Sequence, residues 1–250
     1  MNRVALAVLL CASAGLTQEV RGIIEEVQRR TRSNSQRYEG TLEVMDSRRR
    51  ITTKRWQYER IGSFGESKTV LRFIEPPEVK GVALLVHNHK ERSSDQWMWT
   101  PALQRDRRIA LQDRSTRFFG TDFSFEDLEE RDVDHYDYKL LGEERLDGAM
   151  CWKIESRPRG SKTSQYTHSH AWVRKDIYVF AKVEGFRDAA LVRRILYRGY
   201  EQVMGIWTAK ELEVYDARRE SRTVMRLEKL EYNLPLKEED FTLQALRRGP

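Results

Sequence analysis

The feature that most constrains this chain is an alternation of apolar and polar side chains that recurs from residue 36 almost to the C-terminus. Successive side chains of a β-strand point to opposite faces, so a period of two marks strands with one buried and one wet face. In Gln36–Met45 the residues Tyr38, Leu42 and Val44 alternate with Arg37, Glu39, Thr41 and Glu43. Met150, Trp152 and Ile154 oppose Cys151, Lys153 and Glu155, and Leu212 and Val214 oppose Glu211 and Glu213. The run Ile177, Val179, Ala181, Val183 opposes Tyr178, Phe180, Lys182 and Glu184. Turn signals punctuate these runs at Gly62, Gly65, Pro76-Pro77, Asp147-Gly148, Gly160 and Gly205. Asp147-Gly148 predicts a two-residue hairpin, because a type I′ turn requires positive φ at both central positions. The pattern predicts roughly eleven to thirteen strands in an antiparallel barrel or large curved sheet. The fold class is therefore mainly β with a few helices.

Two stretches depart from this period. Val20, Ile23, Ile24 and Val27 fall at helical spacing, so Thr17–Thr31 predicts one amphipathic helix. Before it, Arg3 supplies a positive start, Val4–Leu10 an apolar run, and Ala12-Ser13-Ala14 a small-x-small cleavage site. That is the layout of a secretory signal peptide over residues 1–14, with cleavage before Gly15 and export to the periplasm. Cys11 after the apolar run raises a lipoprotein signal as an alternative, but Leu10 stands where lipidation requires a small residue. No other stretch approaches the ~18 apolar residues of a membrane-spanning helix. With no linker, low-complexity tract or repeat, residues 15–250 are expected to form one domain.

Composition excludes several classes. Two cysteines, one of them in the leader, rule out a disulfide scaffold. The net charge of +6 comes from interspersed charges, and even Arg48-Arg49-Arg50, Arg107-Arg108 and Arg193-Arg194 are short runs. They read as solvated strand surface, and no nucleic-acid-binding signature accompanies them. Glu129-Glu130 and Glu238-Glu239 likewise read as solvated faces and not as acid/base pairs. There is no Gly-x-Ser-x-Gly, His-Glu-x-x-His, P-loop or dinucleotide motif, and Cys151 sits in an ordinary strand pattern. No catalytic residue and no cofactor is expected.

Four of the five histidines form His87-x-His89 and His168-x-His170. On a strand each pair points one way and has the spacing to chelate a transition metal, but nothing in the sequence brings the pairs together. Exposed strand-end histidines are the expectation, with no metal. Phe118–Arg131 is distinct: Phe118, Phe119, Phe123 and Phe125 are followed by acidic residues. Thr121 or Asp122 is placed to cap a short helix there. The segment suits either a plug or movable lid over an open barrel, hinged at Gly120, or a satellite core under a long loop.

One ordered block carries a family resemblance. Leu71-Arg72-Phe73, Pro76, Lys80-Gly81 and Ala83-Leu84-Leu85 are followed by Asp95-Gln96-Trp97-Met98-Trp99 and Pro101. Arg107-Arg108-Ile109 and Phe119-Gly120-Thr121-Asp122-Phe123-Ser124-Phe125-Glu126-Asp127-Leu128 complete it. The order resembles the outer membrane lipoprotein-sorting protein family of the LolA/LolB-like superfamily, densely over residues 71–128. Relatives tend to carry Met-Gly-Ser-Asp where this chain has Phe119-Gly120-Thr121-Asp122.

The resemblance implies an incomplete, strongly curved antiparallel β-barrel around an apolar cavity closed by helices. It implies a periplasmic carrier of lipid or acylated lipoprotein cargo, working in lipoprotein sorting or beside an RND-type exporter. It implies only peripheral contact with membranes and no nucleic-acid partner. The alternative it leaves open is a non-enzymatic envelope sensor or adaptor binding an inner-membrane partner. A carrier must hide acyl chains from water at ~0.8 kcal/mol per buried CH₂. The side chains expected to line such a cavity are Leu71, Phe73, Leu84, Trp97, Trp99, Phe118, Phe119, Phe123, Phe125 and Trp152.

Overall fold

The computed structural model describes residues 19–160 and 162–248. The expected leader over residues 1–14, with Cys11, lies outside the described residues. Helix α1 occupies residues 19–31 and buries Val20, Ile24 and Val27 on the stripe that the period of 3.6 predicts. Thirteen strands follow. The first six are β1 (Ser35–Met45), β2 (Ile51–Ser63), β3 (Glu66–Glu75), β4 (Ala83–Asn88), β5 (Asp95–Thr100) and β6 (Arg105–Arg108). The other seven are β7 (Tyr136–Leu146), β8 (Ala149–Pro158), β9 (His168–Arg174), β10 (Phe180–Arg187), β11 (Ala190–Val203), β12 (Ile206–Asp216) and β13 (Ser221–Tyr232). A short helix α2 (Leu243–Arg248) ends the described chain.

All thirteen strands form one antiparallel sheet in the order β6-β5-β4-β3-β2-β1-β13-β12-β11-β10-β9-β8-β7. Every neighbour is a sequence neighbour except at β1–β13, where Leu42 faces Met225 and two up-and-down meanders are joined. The sheet is not closed: β6 and β7 are its free edges. The result is an incomplete, curved antiparallel β-barrel. The Asp147-Gly148 hairpin forms between β7 and β8, with φ of 46° and 83° at its two residues. The run beginning at Ile177 differs from its expectation. Its first residues make the β9–β10 turn, in which the Tyr178 N–H bonds the Arg174 carbonyl, and the strand starts only at Phe180.

Because β6 and β7 are opposite edges, the chain between them has to cross the open side of the barrel. This crossing contains the Phe-rich segment, and it fills one half of the interior. Phe118, Phe123 and Phe125 pack with Trp56, Leu71, Phe73, Leu84, Val86 and Met225 in the largest core cluster, and Phe119 packs against it. Thr121 and Asp122 cap no helix. The Thr121 hydroxyl bonds the Phe118 carbonyl at 2.7 Å, and the fully buried Asp122 carboxylate takes Thr223 Oγ1 at 2.8 Å and Arg117 at 2.7 Å. Asp122 thus ties the crossing to β13. A single 3₁₀ turn, Glu126–Leu128, follows. On the outer face of the same half, Phe241 and Leu246 cover Ala83 and Leu85, with Trp97 and Trp99 packed alongside.

Candidate functional site

The other half of the barrel is not filled. Strands β7–β13 and helix α1 enclose a cavity of about 420 Å³, within the ~300–1,000 Å³ range of small-molecule sites. Strands β7, β8, β9 and β11 contribute residues two apart, as one face of a sheet must: Tyr136 and Tyr138, Ile154 and Ser156, Ser169 and Ala171, Ile195 and Tyr197. Ile24, Val27, Gln28 and Thr31 of α1 lie across it, and Val179, Phe180, Val183, Leu212 and Trp207 extend the apolar wall. Gly185 on β10 is needed there, since a Cβ would strike the Tyr166 ring.

The polar wall comes from the end of the crossing segment: Glu126, Asp127, Glu129, Glu130 and Arg131. Arg193, only 3% exposed, donates to Asp127, to Tyr166 Oη at 3.0 Å and to Asp216 at 3.3 Å. Burial opposes the Arg193 charge, but Asp127, Tyr166 and Asp216 outweigh it and hold its pKa above the ordinary value. Tyr166 donates to Asp127 Oδ1 at 2.8 Å, and burial, with Asp127 beside it, pushes the phenol well up. Glu129 accepts from Arg114 at 2.6 Å, Gln96 at 2.9 Å and Lys162 at 3.3 Å. Glu130 accepts from the Phe64 N–H at 2.9 Å and pairs with Arg60 at 3.4 Å. Burial raises the Glu126 carboxyl, although Ser164 Oγ and the Gln165 N–H both donate to it. These contacts clamp the segment across the sheet. Glu129 and Arg193 therefore correct the sequence reading, which placed both on solvated surface.

None of the ten residues expected to line the cavity borders it. Leu71, Phe73, Leu84, Phe118, Phe123 and Phe125 are buried in the filled half, with Phe119 against them, and so do not cover the cavity as a lid. Trp97 and Trp99 lie on the outer face under Phe241, because alternation sends Leu84 inward and Leu85 outward. Trp152 packs 5.1 Å from Tyr178. The rings named in advance fill space; the cavity is bordered instead by tyrosines, small and β-branched residues and a different set of rings, Phe64, Phe180 and Trp207. Tyrosines spaced two apart, as at Tyr136-x-Tyr138, were the sequence signal that could have found it.

The histidine pairs do not meet. His87 Nε2 bonds the Phe241 carbonyl at 2.9 Å and His89 lies 3.1 Å from Asp95, whereas His168 and His170 sit on β9. Glu155 on β8 joins the second pair, with one ligand atom from each residue within 4.8 Å of the others. Arg157 competes for that carboxylate, donating to both Glu155 oxygens at 2.9 and 3.1 Å. Cys151 is fully buried, and burial pushes its thiol up, the opposite of an activated nucleophile.

This open antiparallel barrel has structural relatives among solved proteins. A LolA superfamily protein from Nitrosomonas europaea shares this fold, with 17% identity and a TM-score of 0.72 over 90% of this chain and 98% of that one. A structure described as an outer membrane lipoprotein-sorting protein domain, from Vibrio parahaemolyticus, is 25% identical with a TM-score of 0.88. It covers 93% of this chain and 100% of that one. A DUF1329 family protein from Desulfovibrio piger is 27% identical with a TM-score of 0.88, covering 92% and 99%. No curated protein matches by sequence. A family model described as an uncharacterized protein matches residues 65–248. The chain belongs to that family, and it is similar in fold to the outer membrane lipoprotein-sorting, DUF1329 and LolA superfamily structures.

Proposed function

We propose that this chain is a periplasmic carrier that shelters acyl chains in the cavity between α1 and strands β7–β13. The observation that carries the reading is the chamber itself: about 420 Å³ left unfilled inside a barrel whose other half is packed solid. Natural interiors are close-packed, so an apolar space of this size calls for an occupant of its own. Ile154, Ala171, Val183, Ile195 and Leu212 supply the surface an acyl chain would cover. In this reading the cargo is a lipid or a lipid-modified protein, and an RND-type exporter is the membrane partner. On the same reading the chain binds its cargo and performs no chemistry on it.

Native mass spectrometry of protein expressed with its leader and released gently from the envelope tests this reading. The expected spectrum carries a lipid adduct of one defined mass that organic extraction removes. A spectrum of bare protein only, before and after extraction, contradicts it.

A further inference from the structure

We propose that the cavity takes an amphiphile with an anionic oxygen headgroup, a carboxylate or a phosphate ester, anchored on the Arg131 guanidinium. The inference rests on the carrier reading and adds the chemistry of the cargo's polar end. Three cationic side chains border the cavity: Arg131, Lys162 and Arg193. Lys162 is held by Glu129, and Arg193 by Asp127 and Asp216. Arg131 makes no ion pair among the described residues. Its guanidinium instead lies over the Tyr136 ring, 4.4 Å from the centroid.

A guanidinium keeps its charge under all ordinary conditions and offers five donors in a fork that fits carboxylate and phosphate oxygens. Around Arg131 the wall adds further donors. Tyr138 and Tyr197 both border the cavity and lie within electrostatic reach of Arg131. Burial pushes Tyr197 up to about 12, so its hydroxyl stays protonated and free to donate. The Tyr136 side chain is hydrogen-bonded to Arg131, while the Tyr138 and Tyr197 hydroxyls have no hydrogen bond among the described residues. Glu126 is the carboxylate closest in influence, but Ser164 and the Gln165 N–H take its oxygens. The carboxylates of this polar wall are engaged by their own donors, which leaves Arg131 without an ion pair among the described residues, and most of the remaining wall is apolar. A charge facing an apolar space is costly without a counter-ion. An acidic amphiphile brings that counter-ion, and its chain covers the apolar wall.

The test uses the mature chain after organic extraction, titrated with a pyrene-labelled long-chain fatty acid and with the methyl ester of the same probe. Wild type is expected to prefer the acid by about tenfold or more, the scale of one charge-assisted contact. Arg131→Gln should weaken the acid alone and erase the preference, and Arg131→Lys should keep part of it. Displacement of the acid by lysophosphatidate, and not by the matching monoacylglycerol, extends the headgroup to phosphate; displacement by neither restricts it to carboxylate. Equal binding of acid and ester by wild type, or equal weakening of both by Arg131→Gln, overturns the proposal and leaves the carrier reading standing. Binding of neither probe overturns both. If Arg131→Gln does not fold, Tyr138→Phe and Tyr197→Phe replace it, with selective loss of acid binding as the expected result and unchanged selectivity as the contrary one.

Discussion

At the scale of single residues, the cavity shows that charge in a strand pattern is a poor guide to exposure. Glu129 and Arg193 sit in runs that look solvated, yet each is buried in a network of opposite charges. Only the tertiary arrangement supplies those partners: Asp127 of the crossing and Asp216 of β12 for Arg193, and Arg114, Gln96 of β5 and Lys162 for Glu129. Glu126 offers the cleanest titration. Burial raises its carboxyl above the ordinary value in the folded state, so the native form holds a proton that the unfolded form has released. By linkage, its contribution is most favourable below the unfolded carboxyl value of ~4.3 and is lost as pH rises through the folded value. Glu126→Gln does not titrate. Urea unfolding from pH 4 to 7.5 should therefore show the variant gaining on wild type as pH rises, then running parallel. A pH-independent difference would contradict the assignment.

At the scale of elements, alternation and turn chemistry made most strands readable. The Asp147-Gly148 turn is a local requirement for positive φ and so needs no tertiary information. The same holds for α1, whose stripe Val20, Ile24 and Val27 is set by period alone. The destination of the Phe-rich segment was not legible, because a period of two assigns faces and not which half of a barrel a long connection will fill. Trp97 and Trp99 failed as cavity residues for a related reason: alternation separates two faces without naming the inner one, and α2 covers theirs. The packing decides between plug and lid in a measurable way. Phe123 lies 5.8 Å from Trp56 in the filled half, so Phe123→Ala should cost ~3–5 kcal/mol of stability and leave fatty-acid affinity near wild type. Little loss of stability with a changed affinity would instead make the segment a moving lid.

At the scale of the whole molecule, the fold divides one open barrel into a solid half and a hollow half. The division follows from topology. Two meanders meet at β1–β13, their free edges β6 and β7 leave a gap, and the connection across that gap carries its four phenylalanines into one side. The four phenylalanines of the crossing identify the part that is filled, and the hollow is lined largely by tyrosine, alanine, serine and β-branched residues, with Phe180 and Trp207 at its wall. Ala209 on β12 borders the hollow. Ala209→Trp would put an indole where an acyl chain is expected and would leave the solid half untouched. Titration of wild type and Ala209→Trp with the pyrene-labelled fatty acid, alongside thermal unfolding of both, is the most direct measurement of the central claim. The account predicts saturable binding by wild type, with loss of affinity of at least tenfold in the variant at nearly unchanged stability. Equal affinity for the probe in both proteins would place the acyl chain elsewhere and contradict the account.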